Sequence, residues 1–319
     1  MISTGEKEFV QALKSIARNE KIKAYIEQSK DLYSLFLRAS QRFVTGETRK
    51  EAIVKANELL SKEYLVSLEY IGENTTTEEE CRKAKDEFIE LMKEVDSNGF
   101  QSTISFDLSH IGLCMNPDIA FEYLDEIAKE AEQKGLYLMI SMEESAKTDQ
   151  ILDIYKRIAK SHSNVGITLQ VHLKRSVEDI NELLNYQGRI RIVKGAYQEP
   201  SEIAYPRSEE LDKRYLQFVE TCVKANQPIS IATHDEKLIS QLRELGYLNS
   251  PNVEVEMLYG IRPDLIKQLK DDGYKTRVYL TYGEEWYLYL CHRIAEYPPN
   301  IYLAVSDIID PSRTKNSIY

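Results

Sequence analysis

An α/β fold, a closed (β/α)8 barrel of the TIM type with a helical segment ahead of it, is what this 319-residue sequence predicts. Three observations lead there. Eight short β-branched runs follow residue 63, amphipathic stretches separate them in strict alternation, and the whole has a length close to the ~250 residues typical of such barrels. A doubly wound open sheet is the alternative. It usually carries a Gly-rich phosphate turn after its first strand, and "SLEYIGENTTTEEE" holds no GxGxxG.

Residues 1–62 read as a helical lead-in. "EFVQALKSIA", "DLYSLFLRASQRF" and "RKEAIVKANELLSKEY" space apolar residues three and four apart, and Thr45 or Thr48 offers an N-cap for the third. The barrel is expected over 63–300. Its strand runs are "YLVSLEYIG" (64–72), "STISFDLS" (102–109), "LYLMISM" (136–142), "GITLQVHL" (166–173), "RIRIVKGA" (189–196), "ISIATH" (229–234), "VEVEMLYG" (253–260) and "RVYLTYG" (277–283). Gly135 and Gly273 stand where helix C-caps are needed. Residues 301–319 read as a C-terminal tail of a single catalytic domain, 1–319.

Composition narrows the function classes. Hydrophobic residues make up 42% and charged residues 29%, enough apolar chain for a sizeable core. A net charge of −11 argues against a nucleic-acid groove and limits any membrane contact to a peripheral one. Cys81, Cys114, Cys222 and Cys291 lie far apart with no CxxC, as reduced thiols do. The N-terminus shows no apolar signal region, and no run approaches the ~20 apolar residues of a membrane span, so a cytoplasmic protein is expected.

Barrel chemistry gathers at the C-terminal ends of strands. Those ends carry Glu73; Asp107 and His110; Ser141, Met142 and Glu143; Gln170 and His172; Arg191, Lys194 and Tyr197; Thr233, His234 and Asp235; Glu256, Leu258 and Tyr259; Tyr279 and Tyr282. His110, His172 and His234 with Asp107 or Asp235 offer a metallohydrolase reading. No strand supplies an HxH, and Arg191 and Lys194 in the same mouth repel a cation, so no metal is expected.

The run "RIRIVKGAY" points elsewhere. Alternation sets Ile190 and Ile192 on one face and Arg189, Arg191 and Val193 on the other. Cations at a solvated edge strand are the plainer explanation, but a closed barrel has no edge. An inward arginine followed by Lys194-Gly195-Ala196 suits a large anionic or electron-rich ligand, with glycine allowing close backbone approach.

Taken with "RFVTGET", "LVSLEYIGEN", "ITLQVHLKR", "IATHD" and "RVYLTYGEEWYLYLCHRIAEYPPN", this run resembles the flavin-dependent proline dehydrogenases, of the monofunctional bacterial type, from about Arg42 to Asn300. The resemblance implies a distorted (β/α)8 barrel holding FAD. It implies that Met142, Gln170, Arg191, Lys194, Gly195, Ala196, Thr233, His234 and Glu296 serve the cofactor. Arg191 also counts as catalytic, beside the flavin edge where charge builds up. Tyr197, Leu258 and Tyr279 would wall the substrate site, and Glu73 would gate it. The implied substrate is a small amine or imino acid, and the implied electron acceptor a quinone or a flavoprotein.

Three positions depart from the family pattern. Where an Arg-Arg pair is typical this chain has His292-Arg293; the strand-2 lysine is Asp107; the strand-3 aspartate, counted as catalytic, is Ser141. All three bear on the substrate carboxylate, so L-proline is expected to be a poor substrate. Asp107 as a structural partner of Arg293 is the plainer alternative. A flavin-less, inactive relative is another. Tyr282, Tyr287 and Tyr289 read as packing, Trp286 as core or a flavin shield, and neither Cys291 nor His162 is assigned a role.

Overall fold

The structure, a computed structural model, describes residues 4–17, 19–315 and 319. Eight parallel strands close into a barrel in sequence order: β1 (Leu65–Tyr70), β2 (Thr103–Phe106), β3 (Tyr137–Ile140), β4 (Val165–Gln170), β5 (Ile190–Val193), β6 (Ile229–Ala232), β7 (Val253–Leu258) and β8 (Thr276–Tyr282). Six residues of β1, Leu65 to Tyr70, pair in register with Arg277 to Tyr282 of β8 and seal it. Each strand overlaps the run that predicted it.

Helices alternate with the strands. Four precede β1: α1 (Thr4–Ala17), α2 (Glu20–Gln28), α3 (Lys30–Ser40) and α4 (Arg49–Leu60). Then come α5 (Glu78–Ser97), α6 (Pro117–Gln133), α7 (Thr148–Ile158), α8 (Ser176–Leu183), α9 (Glu209–Lys224), α10 (Glu236–Glu244) and α11 (Pro263–Asp271). After β8 follow α12 (Trp286–Glu296), α13 (Asn300–Ile309) and α14 (Ser312–Lys315). Thr48 and Thr77 close capping boxes with Glu51 and Glu80, which satisfies the first amides of α4 and α5. Gly135 and Gly273 end α6 and α11 with positive φ, as expected.

Burial follows the two periods. Ile190 and Ile192 are wholly buried between barrel and helices, so Arg191 between them points into the barrel. Leu68, Ile104, Ile167, Ile231 and Leu280 take the same outward positions on other strands and meet the helix layer.

A second core sits to one side. Ala17, Ile26, Ala39, Phe43 and Val44 of the lead-in pack with Trp286, Tyr287, Leu290, Cys291 and Ile294 of α12 and Ala304 of α13. Arg42 grips Asp307 through two hydrogen bonds of 2.5 and 2.7 Å within this layer. The helix α2 was not legible in sequence; its run "EKIKAYIEQ" is charged, and its start is fixed by Asn19, whose side chain accepts from two amides. Residues 301–319, expected as a tail, include most of α13, which packs on α3. Among the described residues no helix is long and apolar enough to cross a membrane.

Candidate active site

The barrel interior holds two layers of charge. In the lower one, Glu254 of β7 receives Arg277 at 2.8 and 3.1 Å and the Ser230 hydroxyl at 2.6 Å, with Arg189 3.7 Å away. Burial alone would raise its carboxyl pKa; Arg277 outweighs burial and holds it down at about 2. One step up, Arg191 clasps Glu256 with Nε and Nη2 at 2.7 and 3.0 Å, and Nη2 also donates to Ser105 at 2.8 Å. Ser67 donates to Glu256 at 2.7 Å. The guanidinium lies 4.8 Å from the centre of the Tyr279 ring. Burial works against its charge, and Glu256 restores it. Nη1 makes none of these bonds.

The upper layer is the mouth, and its carboxyls are not matched in this way. Glu69 of β1 shares the inward parity of Ser67 and is hydrogen-bonded by Tyr279. Burial raises its pKa to about 7, against the pull of Tyr279, Arg191 and Arg293, and Glu73 adds to the rise. Asp107, just past β2, accepts no side-chain hydrogen bond or ion pair among the described residues. Burial first, then Glu143, Glu69 and Glu73, push its carboxyl well above the usual range, and Lys147 opposes them. Lys147 is held by Glu143 at 2.7 Å, Glu144 at 3.0 Å and Asn74 at 2.6 Å. Tyr197 lies near the same acids, which with burial keep its hydroxyl protonated.

Helix α12 closes one side of the mouth. Arg293 donates to Glu296 at 2.6 Å and lies 4.9 Å from the centre of the Tyr289 ring, while its Nε is buried without a partner. Asp107 is therefore not the counter-ion of Arg293. Tyr289, expected as packing, packs against the second core and also stands in the field of Arg293 and Glu69. Glu69 escaped the sequence reading altogether. The parity of β1, four residues before Glu73, was the available signal. His292 is part-exposed beside Arg293. Trp286 is buried against Tyr33 and bonds Glu47 in the second core, so it does not cover the mouth. Cys291 is buried, and its thiol is pushed up to about 11. His162 meets Asp125 outside the barrel.

On the β4–β6 side, Gln170 is buried and donates to the Glu143 carbonyl at 2.7 Å, which fixes the turn carrying Ser141 and Met142. Gly195 has φ of +108°, and a Cβ there would stand 1.4 Å from His172 Nδ1. His172 gives that nitrogen to the Lys194 carbonyl at 2.8 Å, while its buried Nε2 has no partner. Arg207 donates to the Gly195 carbonyl at 2.5 Å. The Lys194 ammonium is held by Asp212 at 2.6 Å and Asp235 at 2.7 Å, so its charge is already matched and one N–H donor remains. Thr233 accepts from the Asp235 amide. His234 uses Nε2 to accept from the Leu258 amide at 3.0 Å, and burial brings it down to about 3, so it is neutral with only Nδ1–H left to donate. Ala196 is exposed and Leu258 half-buried.

His110 stacks on Tyr70 at 5.2 Å, away from His172 and His234. Among the described residues no three His, Cys, Asp or Glu side chains gather as a metal site.

Comparison with known proteins bears on the family and the fold. The family profile described as proline dehydrogenase matches residues 52–297. Proline dehydrogenase of Deinococcus radiodurans is 32% identical over 278 residues, 85% of this chain and 90% of that protein. Proline dehydrogenase 2 of Bacillus subtilis is 30% identical over 269 residues, 83% of this chain and 89% of that one. The crystal structure of proline utilization A from Bdellovibrio bacteriovorus, inactivated by N-propargylglycine, superposes with a TM-score of 0.76 at 19% identity, over 90% of this chain and 36% of that longer one.

Proposed function

The chain belongs to the proline dehydrogenase family of FAD-dependent oxidoreductases acting on CH–NH groups, and on that premise we propose that its barrel mouth oxidises the C–N bond of a small amine against a bound flavin. The observation that carries this reading is the cradle around β5: a bare glycine backbone at Gly195, a buried His172 Nε2 with no partner among the described residues, and an Arg191 fixed by Glu256 and Ser105 through Nε and Nη2. These features fit a flavin.

Arg191, Gln170, Gly195, Ala196, Met142, Thr233 and His234 would hold the cofactor, with Lys194 and Glu296 at its rim. When bound, FAD supplies the acceptor for a hydride. The rest falls to the protein. Tyr279, Leu258 and Tyr197 wall the substrate carbon. Arg191 presents fixed positive charge where negative charge develops, at no cost in reorganisation because Glu256 and Ser105 already hold it. The substrate carbon loses hydrogen with its bonding pair, the nitrogen loses a proton, and a C=N bond forms. Glu69, with a pKa of about 7, is suited to take that proton on its carboxylate oxygen at neutral pH. A quinone or flavoprotein then takes the electrons.

The purified protein should be yellow, or become so with FAD, and acid should release the flavin. Arg191→Met should retain a measurable flavin spectrum but lower its reduction potential. Failure of saturating FAD to bind or to raise Tm contradicts the reading. So does an unchanged potential in the variant.

A further inference from the structure

We propose that this mouth selects an amine without a carboxylate, one that places an N–H donor (a carboxamide or a second ammonium) beside Asp107. The inference rests on the flavin reading above and concerns the charge of the site that reading defines.

The cations of the mouth are already engaged. Arg191 is bound through two nitrogens to Glu256, Arg293 is bound to Glu296, and Lys147 lies between Glu143 and Glu144. Lys194 is matched by two aspartates, and Arg207, at the exposed edge, donates to the Gly195 carbonyl. The carboxyls show the reverse. No side chain donates to Asp107, and Glu69 receives only Tyr279.

An entering carboxylate meets Arg191 and Arg293 each already paired with a glutamate, with Asp107 and Glu69 repelling it. An amine cation meets carboxyls whose charged forms it stabilises, since burial and the neighbouring acids hold both above their ordinary range. One donor remains on the opposite side: the buried, unpartnered Nε of Arg293. A carboxamide answers both, its carbonyl accepting from Arg293 and its N–H donating to Asp107. An aminomethyl group answers Asp107 alone. Buried groups left unpaired by the wrong substrate discriminate far more strongly than a missing methylene does.

The test mixes the FAD-loaded protein anaerobically with L-proline, L-prolinamide, 2-(aminomethyl)pyrrolidine and pyrrolidine, and follows flavin bleaching. L-Prolinamide or the diamine should exceed L-proline in kcat/KM by at least about tenfold, the least that one well-placed charge-assisted hydrogen bond gives. Whichever of the two is faster identifies the group at Asp107. Asp107→Asn should shrink the preference and Asp107→Lys should reverse it. A kcat/KM for L-proline equal to the others overturns the inference, as does bleaching by none of the four in protein that holds FAD. Absence of flavin from the visible spectrum is a separate result and strikes the cofactor reading. Calorimetric binding of L-prolinamide beside L-proline needs no bound flavin; equal or tighter binding of L-proline there overturns the inference on its own.

Discussion

The lower and upper layers of the same barrel interior treat charge in opposite ways. Glu254 and Glu256 are each met by an arginine and a serine hydroxyl, and Glu254 is held near 2. Glu69 and Asp107, one layer up, are raised instead, Glu69 to about 7. Glu254 and Glu256 are buried while Glu69 and Asp107 are only half-buried, so exposure alone would order the two layers the other way. The difference is whether the sequence supplies a partner. Matched charges are architecture, in which each buried ion is neutralised in place. Unmatched ones await something the chain does not contain.

The largest effect should come from breaking a match. Glu254→Ala leaves Arg277 buried with no carboxylate and should cost about 3–5 kcal/mol in urea unfolding. A loss as small as that of a surface substitution would mean the lower layer is not held by charge. Next is Gly195→Ala in the cradle of the upper layer. The left-handed backbone alone costs ~1–2 kcal/mol for alanine, and the new methyl must push His172 aside, so FAD affinity should fall more than Tm. Equal losses in both would make Gly195 a folding residue.

The pH dependence of stability follows from Glu69, which is faced by Tyr279, Arg191, Arg293 and Glu73. Its folded pKa lies above the ordinary carboxyl value, so the folded state holds a proton that the unfolded state has released. Unfolding free energy should therefore fall as pH rises from the ordinary carboxyl value to about 7, and Glu69→Gln should flatten that slope. A slope unchanged in the variant assigns the proton elsewhere. The smallest effect belongs to Asp107→Asn in the cofactor-free protein. Removing a carboxyl whose neighbours are mostly acidic should leave unfolding free energy unchanged or raise it by ~0.5–1 kcal/mol, where most substitutions lower it. A loss comparable to that of Glu254→Ala would erase the contrast between the layers.

How far the sequence reveals this contrast depends on distance along the chain. The eight strands were legible because alternation and β-branched runs are local. So was the inward turn of Arg191, which follows from parity within "RIRIV". What Arg191 grips was not: Ser105 and Glu256 come from two other strands, Ser67 of a third donates to Glu256, and only closure of the barrel brings them together. The same holds for Lys194, a cation in sequence that Asp212 and Asp235 neutralise in space. Glu69 was missed because one acid in "LVSLEYIG" reads as an ordinary strand residue. Its significance lies in Tyr279 and Arg293, more than two hundred residues away. Asp107 was found because a resemblance supplied an expected lysine to contrast with it. The structure adds that Lys147, the cation in the field of Asp107, is bound by Glu143 and Glu144.

The contrast itself is most directly measured by infrared titration of the protonated-carboxyl band in the purified protein, taken as the difference between the unmodified chain and Glu69→Gln. The account predicts a protonated-carboxyl signal near pH 6 that fades with a midpoint near 7 and is missing from the variant. A difference spectrum with no protonated carboxyl above pH 5 would show Glu69 to be as well matched as Glu254, and the two layers to be one.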